Sequence, residues 1–477
     1  MLKKATACVI ITLYIYFNVK IWKVKTVSEK IKVAFVSLGC PKNQIDSEVM
    51  LAKLGNAGME IVEEDIFADV VVVNTCAFIK SAKEEAIESI LDVAWLRENR
   101  DLKGIVVTGC LVQRYGDEIL KEIPEVDAVC GVGNLDNIVE AVRFAYENGG
   151  KKDVQKFKAI SCPEAQKMGG DRAVFSPEYS TYLKISEGCD NHCTYCVIPS
   201  IRGKFRSRPM EDIIEEAKDL AKLGAKEIVL VSQDTTRYGI DLYGKFCLDE
   251  LLEKLCEVEG IKWLRILYCY PDEITDGLID VIAREEKIVK YIDMPIQHIS
   301  DKVLKMMNRR GDGALVRDAV DRLRQRIPDV ILRTTVIVGF PGETKEDFAE
   351  LAEYLKEASF DRLGVFTYSA EEGTPAARIK EGKVPEKTKQ HRMDVIMRNQ
   401  MAIHEKNNKK FVGKTLEVLC EGFDIPSGVH AGRCYADAPE IDGKVFFTAK
   451  RKIPAGQFVK VLVTDAVEYD LYGETAE

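Results

Sequence analysis

Three cysteines crowd into the segment SEGCDNHCTYCVIPSIRG: Cys189, Cys193 and Cys196, spaced C-x3-C-x2-C. Three thiolates on one tight loop can hold three corners of a 4Fe–4S cube and leave the fourth iron without a protein ligand. S-Adenosylmethionine (SAM) can chelate that open iron through its amino and carboxylate groups. Reduction of the cluster then cleaves SAM to a radical that abstracts hydrogen from an unactivated carbon. A zinc knuckle competes with this reading, because structural zinc takes four ligands and His192 is at hand. That histidine falls between the cysteines, where a fourth bond is strained. The aromatic Tyr195 before the third cysteine, and the loop's place just past a predicted strand, point to the open cluster.

Cys40, Cys76 and Cys110 form a second set, 36 and 34 residues apart. Spacing alone carries nothing, since buried free cysteine is common. Placement carries more. Each follows a predicted parallel strand (SLGC, VNTC, VTGC), and the carboxyl ends of neighbouring parallel strands converge on one crevice. Three thiols there can hold a second cube with one open iron. The other eight cysteines (Cys8, Cys130, Cys162, Cys247, Cys256, Cys269, Cys420 and Cys434) show no pattern and read as ordinary thiols. Fourteen cysteines spread thinly over 477 residues, with three in one loop, suit metal binding in a reducing compartment rather than a disulfide framework.

The elements that position these thiols alternate between strand and helix. IKVAFVSLGC, DVVVVNTCAF and GIVVTGCLVQRYG are predicted strands, with helices at SEVMLAKLGNAG and SAKEEAIESILDVAWLREN between them. Continuous Val/Ile runs between helices imply a parallel sheet covered on both faces, so residues 31–147 read as an open doubly wound α/β domain. Residues 148–178 read as a polar linker with room for a short hairpin. Residues 179–408 carry six βα units, whose strands are TYLKIS, EIVLVSQD, WLRILYCYP, YIDMPIQH, ILRTTVIVGFP and LGVFTYS. That count predicts a partial (β/α)6 barrel with its chemistry at the carboxyl ends of the strands. Residues 409–476 change texture to short strands and glycine turns, an OB-like all-β barrel. The whole is an α/β chain of three domains.

At the start, Lys3 and Lys4 precede an apolar stretch from Ala5 to Phe17. It is shorter than the ~20 residues a bilayer span needs, and no small-residue cleavage site follows it. Residues 1–30 therefore read as an extension outside the fold. The expectation is a cytoplasmic chain with no membrane partner; a disulfide-rich exported protein is the alternative that the amino terminus alone suggests.

MPIQHISDKVLKMMNRRG, TTVIVGFPGET and FTYSAEEGTPA, with the cysteine loop, resemble the methylthiotransferase family of radical SAM enzymes. The resemblance runs from Ile31 to Gly473. It implies two 4Fe–4S clusters, one at Cys189, Cys193 and Cys196 and an auxiliary one at Cys40, Cys76 and Cys110 whose open iron holds the transferred sulfur. SAM would serve both as methyl donor and as radical source. The resemblance places SAM at the later barrel strands, with Gln233, Asp234, Gln297 and the turn residues Gly339, Gly342 and Glu343 as contacts. The turn glycines also read as an ordinary strand-to-helix connection. No general acid or base is assigned, since the cofactors carry the hard steps.

The family splits between tRNA adenosine and a ribosomal protein as substrate, and its last domain is a TRAM module that usually binds RNA. Here residues 412–477 hold seven Lys/Arg against eleven Asp/Glu, an acidic balance that suits a basic protein better than a polyanion. The net charge of −9 likewise argues against a chain coated in basic patches. YADAPEIDG, EYDLYG and Ser200 also resemble the ribosomal branch. The resemblance then implies methylthiolation of the β-carbon of an aspartate on small-subunit ribosomal protein twelve, alone or within the ribosome, with a flavodoxin-type electron donor. The alternative is a tRNA adenosine 2-methylthiotransferase. A reading of another class is a non-catalytic iron–sulfur electron carrier. The basic run GKFRSRP reads either as a contact to ribosomal RNA or as a solvated face.

Overall fold

The computed structural model describes residues 30–476, so all but the last residue of the expected 1–30 extension lies outside the described residues. The chain divides into two compact units. One comprises residues up to Ala77, Ser81–Gln166 and Gly170–Phe175; the other comprises Phe78–Lys80, Lys167–Gly169 and Ser176 onward.

In the first unit the Val/Ile runs form β1 (Lys32–Ser37), β2 (Glu60–Ile61), β3 (Val70–Thr75), β4 (Gly104–Gly109), β5 (Ala128–Cys130) and β6 (Phe157–Ala159). All pair in parallel, in the order β2-β1-β3-β4-β5-β6. Between them run α1 (Pro41–Asn56), α2 (Lys80–Asn99), α3 (Cys110–Glu122) and α4 (Ile138–Asn148). Val70 and Val72 pack with Met50 and Leu54 of α1 and with Ile138 and Ala141 of α4. Val71 and Val73, which face the other way, are also fully buried. A sheet covered on both faces is why these strands read as unbroken apolar runs.

Two details differ from the sequence reading. The run GIVVTGCLVQRYG is strand only as far as Gly109, whose φ of +95° turns the chain; Cys110 follows the strand end as expected, but LVQRYG belongs to α3. The stretch 148–178 supplies β6, a parallel edge strand on β5, instead of a hairpin. Its alternation of Lys and Phe gives too short a run to read as a strand without its partner.

The second unit contains β7 (Ser180–Lys184), the short pair β8 (Ser186–Glu187) and β9 (Arg206–Ser207), then β10 (Glu227–Val231), β11 (Trp263–Ile266), β12 (Ile288–Asp293), β13 (Ile331–Val338) and β14 (Arg362–Thr367). The six main strands lie in sequence order in one parallel sheet, β7-β10-β11-β12-β13-β14, as expected for a partial (β/α)6 barrel. Residues 415–475 form a closed five-stranded barrel from β15 (Thr415–Asp424), β16 (Val429–Arg433), β17 (Val445–Thr448), β18 (Phe458–Val467) and β19 (Asp470–Thr475). Among the described residues no helix is long and apolar enough to cross a membrane.

The small barrel closes the amino-terminal end of the larger one. Glu227, the first residue of β10, is fully buried and accepts from Ser180 Oγ (2.8 Å), Arg265 Nε (2.8 Å) and Arg433 Nη2 (2.6 Å). Arg433 of β16 also reaches Glu421 (2.7 Å). Nearby, Arg362 pairs with Asp437 (2.8 Å), Tyr291 Oη donates to Asp442 (2.6 Å), and Trp263 meets the Phe458 ring edge-on. A buried ion network costs desolvation on every member, so its geometry must stay complete.

Burial alone would raise the Glu227 carboxyl, but Arg433 and Arg265 outweigh it and hold the group at about 2, against 4.5 ordinarily. A depressed carboxylate contributes stability that is present above the ordinary value. That contribution is lost as pH falls from about 4.5 through 2. Glu227→Ala strands two buried guanidiniums and should cost about 3–5 kcal/mol. Urea midpoints measured from pH 7 to pH 3 check both: the wild type should lose stability on acidification, and the variant should lose less.

Candidate functional site

In the first unit the strands that carry the three cysteines are consecutive neighbours, β1-β3-β4, so Cys40, Cys76 and Cys110 leave the sheet at one rim. Ser37 lies opposite Asn74, and Thr75 opposite Gly109, so the three ends are level. Glycine precedes two of the cysteines for a steric reason. At Gly39 (φ +97°) a Cβ would stand 2.9 Å from Cys76 Cβ, and at Gly109 one would stand 2.3 Å from Asn74 Oδ1 and 2.6 Å from the Thr75 carbonyl. Only glycine lets these backbones approach so closely with positive φ.

Buried amides and hydroxyls tie the loops together. Asn43 Nδ2 donates to the Leu38 carbonyl (2.5 Å); Asn74 Nδ2 donates to the Asn43 carbonyl (2.9 Å) and to Ser47 Oγ (2.7 Å). Thr75 Oγ1 donates to the Thr108 carbonyl (2.6 Å). Cys40 caps α1 and Cys110 begins α3, so two helix N-termini meet this rim, a favourable place for the negative charge of a cluster. Cys110 is buried, and Cys40 and Cys76 are half-buried.

In the second unit the cysteine loop follows β8 and is held at both ends. The Cys189 amide donates to the Gly203 carbonyl (3.1 Å), Thr194 Oγ1 and its amide donate to Met306 and Met307 (both 2.9 Å), and the Ala376 amide donates to the Thr194 carbonyl (2.9 Å). Beneath it, Glu187 is fully buried against Lys184 (2.7 Å), Arg202 (3.2 Å) and Gln233 Nε2 (2.6 Å). Burial works against its charge, but Lys184 and Arg202 bring the carboxyl down to about 2.

Two groups face the sulfurs. Arg309 Nη1 lies 3.9 Å from Cys193 Sγ, and the Ile198 amide lies 3.4 Å from Cys196 Sγ. N–H donors aimed at sulfur are what a cluster ligand needs around it. His192 is exposed in a left-handed turn (φ 48°), so the fourth zinc ligand considered from sequence does not join the thiols. Among the described residues no three Cys, His, Asp or Glu groups converge on a single metal ion. The thiolates of a cube each bind a different iron and need only surround it, so the donor set fits a cluster. Burial pushes the Cys189 thiol up to about 12 and raises Cys196, so loading must release protons.

The other candidates lie past the ends of β10, β12 and β13. Asp234 is buried and accepts from Asn191 Nδ2 (2.7 Å) and Thr236 Oγ1 (2.9 Å); burial raises its carboxyl. Gln233 Oε1 and Asn191 Oδ1 are buried without a partner. Gln297 sits at φ 68°, with its backbone bridging Thr335 and Ile337 of β13. The turn Gly339–Glu343 is held by its own glutamate: Glu343 Oε2 accepts the amides of Gly339 and Phe340, and Oε1 pairs with Arg392 (2.7 Å). A Cβ at Gly339 or Gly342 would strike Lys389 or Met306. Glu343 therefore acts on the turn itself.

Asn191, Arg309 and the Arg310 network with Asp272 (3.1 Å) and Glu273 (2.7 Å) were not singled out from sequence, although all lie within or beside the quoted motifs. Their partners come from other strands, which spacing does not show.

Residues 183–355 match the Radical SAM superfamily, 32–131 the uncharacterized protein family UPF0004, and 412–476 the TRAM domain. The chain is 49% identical over 451 residues to the ribosomal protein uS12 methylthiotransferase RimO of Lachnoclostridium phytofermentans, covering 94% of this chain and all of that one. It is 50% identical to the RimO of Pelotomaculum thermopropionicum (93% and 99% covered) and 46% identical to that of Clostridioides difficile (93% and 98% covered). Among solved structures, the radical S-adenosylmethionine methyltransferase TsrM from Kitasatospora setae superposes with a TM-score of 0.55 at 13% identity, covering 79% of this chain and 89% of that one, which is a likeness of fold.

Gly109→Ala should cost about 1–3 kcal/mol, because φ +95° with an extended ψ is open only to glycine. Gly55→Ala, inside α1 with nothing near its Cβ position, should be neutral or stabilising. Denaturant midpoints of the two variants check the contrast.

Proposed function

The chain belongs to the family of ribosomal protein uS12 methylthiotransferases within the radical SAM enzymes, and on that premise we propose that it adds a methylthio group to the β-carbon of an aspartate of ribosomal protein uS12. The observation that carries this reading is the near-50% identity along almost the whole chain; Cys40, Cys76 and Cys110 just past β1, β3 and β4, and the Cys189–Cys196 loop after β8, support it. We further propose that the reaction runs in the cytoplasm, with a flavodoxin-type electron donor and with uS12 either free or in the ribosome. The tRNA alternative is disfavoured by the same identity.

Cys189, Cys193 and Cys196 would hold the cluster that binds SAM, and Cys40, Cys76 and Cys110 the auxiliary cluster. When bound, these groups supply the electron transfer, hydrogen abstraction and sulfur transfer of the reaction. The protein's part is placement and exclusion of water. Arg309, locked by the Pro295 carbonyl (2.8 Å) and lying over the Tyr270 ring (4.2 Å), presents N–H to Cys193 without freedom to swing. Glu187 fixes both the cysteine loop and Gln233, whose free Oε1, with the free Oδ1 of Asn191, offers SAM unpaired acceptors. Asp234 and Gln297 complete that contact set. Glu343 contributes indirectly, by fixing the Gly339 and Gly342 backbone against which SAM would lie.

The test is anaerobic incubation of the reconstituted, reduced enzyme with SAM and either uS12 or anticodon-arm tRNA, followed by mass spectrometry. A single methylthio gain on an aspartate of uS12 is expected; a gain on tRNA adenosine instead would overturn the substrate reading. In the same assay, replacing Cys40, Cys76 and Cys110 by Ala should halve the iron content. That variant should keep SAM cleavage and lose methylthio transfer, whereas replacing Cys189, Cys193 and Cys196 should abolish cleavage.

A further inference from the structure

The mechanism above leaves one surface of the first unit unused. The inner face of α2 is the expected one, with Ala86, Ile90, Val93 and Ala94 buried against the sheet. The outer face is not. Ile87, Leu91 and Trp95, four residues apart, form one stripe and are 41%, 50% and 55% exposed. The exposed large apolar side chains described for this unit are these three with Ile66 and Phe67. Single exposed apolar residues need no explanation; a helical stripe that ends in tryptophan does.

Charge decides what this stripe suits. Glu84, Glu88 and Asp92 run beside it at the same four-residue period and are exposed. Glu88 and Asp92 have no hydrogen-bond or ion-pair partner among the described residues. Of the bases on this helix, Arg97 is held by Asp127 and the Lys103 carbonyl, and Lys83 lies over the Tyr115 ring. The face is therefore apolar with an acidic border. A nucleic acid is repelled by it. A second copy placed by two-fold symmetry would set acid against acid along the border. A basic protein with an apolar contact satisfies both features, and a protein that lives among ribosomal phosphates must carry surplus Lys and Arg.

We propose that the outer face of α2 is a docking surface for the substrate protein uS12, with Leu91 and Trp95 as anchors and Glu84, Glu88 and Asp92 as the charged border. This rests on the substrate reading given above. The surface holds the body of the substrate and takes no part in the chemistry.

The experiment is a binding titration of isolated, labelled uS12 into the full-length holoenzyme. Leu91→Ser with Trp95→Ser should raise Kd by about ten-fold or more, as loss of an aromatic anchor does. Glu88→Lys with Asp92→Lys should do the same and flatten the salt dependence. Glu215→Lys with Asp219→Lys, on the exposed helix Met210–Leu223, should leave Kd unchanged. All variants should retain both clusters, by iron content, and SAM cleavage without substrate. Unchanged Kd in both α2 variants overturns the docking surface, even if wild type modifies uS12 normally. A change of mass by light scattering in the Leu91/Trp95 variant gives the face to a second copy and also overturns it. Binding that depends on α2 without any modification of uS12 would keep the surface and sink the substrate reading instead.

Discussion

Parallel strands deliver all their carboxyl ends to one rim, and nearly every candidate group of this chain uses that constraint. Cys40, Cys76 and Cys110 follow β1, β3 and β4; Cys189 follows β7 and β8; Asp234, Gln297 and Gly339 follow β10, β12 and β13. Residues tens of positions apart are thereby brought level without any loop having to search for its partner. The cost falls on the turn just past each strand, where the chain must reverse in very little room. Gly39, Gly109 and Gly339 adopt positive φ there, and neighbouring atoms fill the space in which a side chain would lie.

The charges that stabilise this arrangement are buried, not spread on the surface. Glu187 pairs with Lys184 and Arg202 directly below the cysteine loop, and Glu227 pairs with Arg265 and Arg433 at the amino-terminal end of the six-stranded sheet. Such networks add little net stability, but removal of one member leaves an uncompensated charge. They act as registers: each is satisfied only when β7, β10 and their neighbours sit in one alignment. Asp293 connects the two levels, since it pairs with Arg333 and also accepts the amide of Tyr268, a residue at φ 64° two positions before Tyr270.

The composition of the small carboxyl-terminal barrel implies an acidic surface. In the structure Arg433, Asp437, Asp442 and Glu421 are engaged at the floor of the larger barrel. Setting these aside leaves six bases and eight acids in 412–477, a weaker imbalance than the whole count. The module's buried charges serve the barrel.

The chemistry was legible in the sequence because it depends on local order. Three thiols within eight residues must share one loop, and an apolar run followed by Gly-Cys or Thr-Cys must place sulfur at a strand end. The fold class followed from continuous Val/Ile runs alternating with helices, and the small barrel from its glycine turns. What the sequence could not show is anything settled by partners distant in the chain. The strand β6 exists because β5 offers it an edge. Arg309 is aimed at Cys193 by Pro295 and Tyr270, and Glu343 is consumed by its own turn and Arg392. Side-chain orientation is fixed by packing and hydrogen bonds across many residues, so spacing along the chain determined which groups are present and the tertiary structure decided what each one faces.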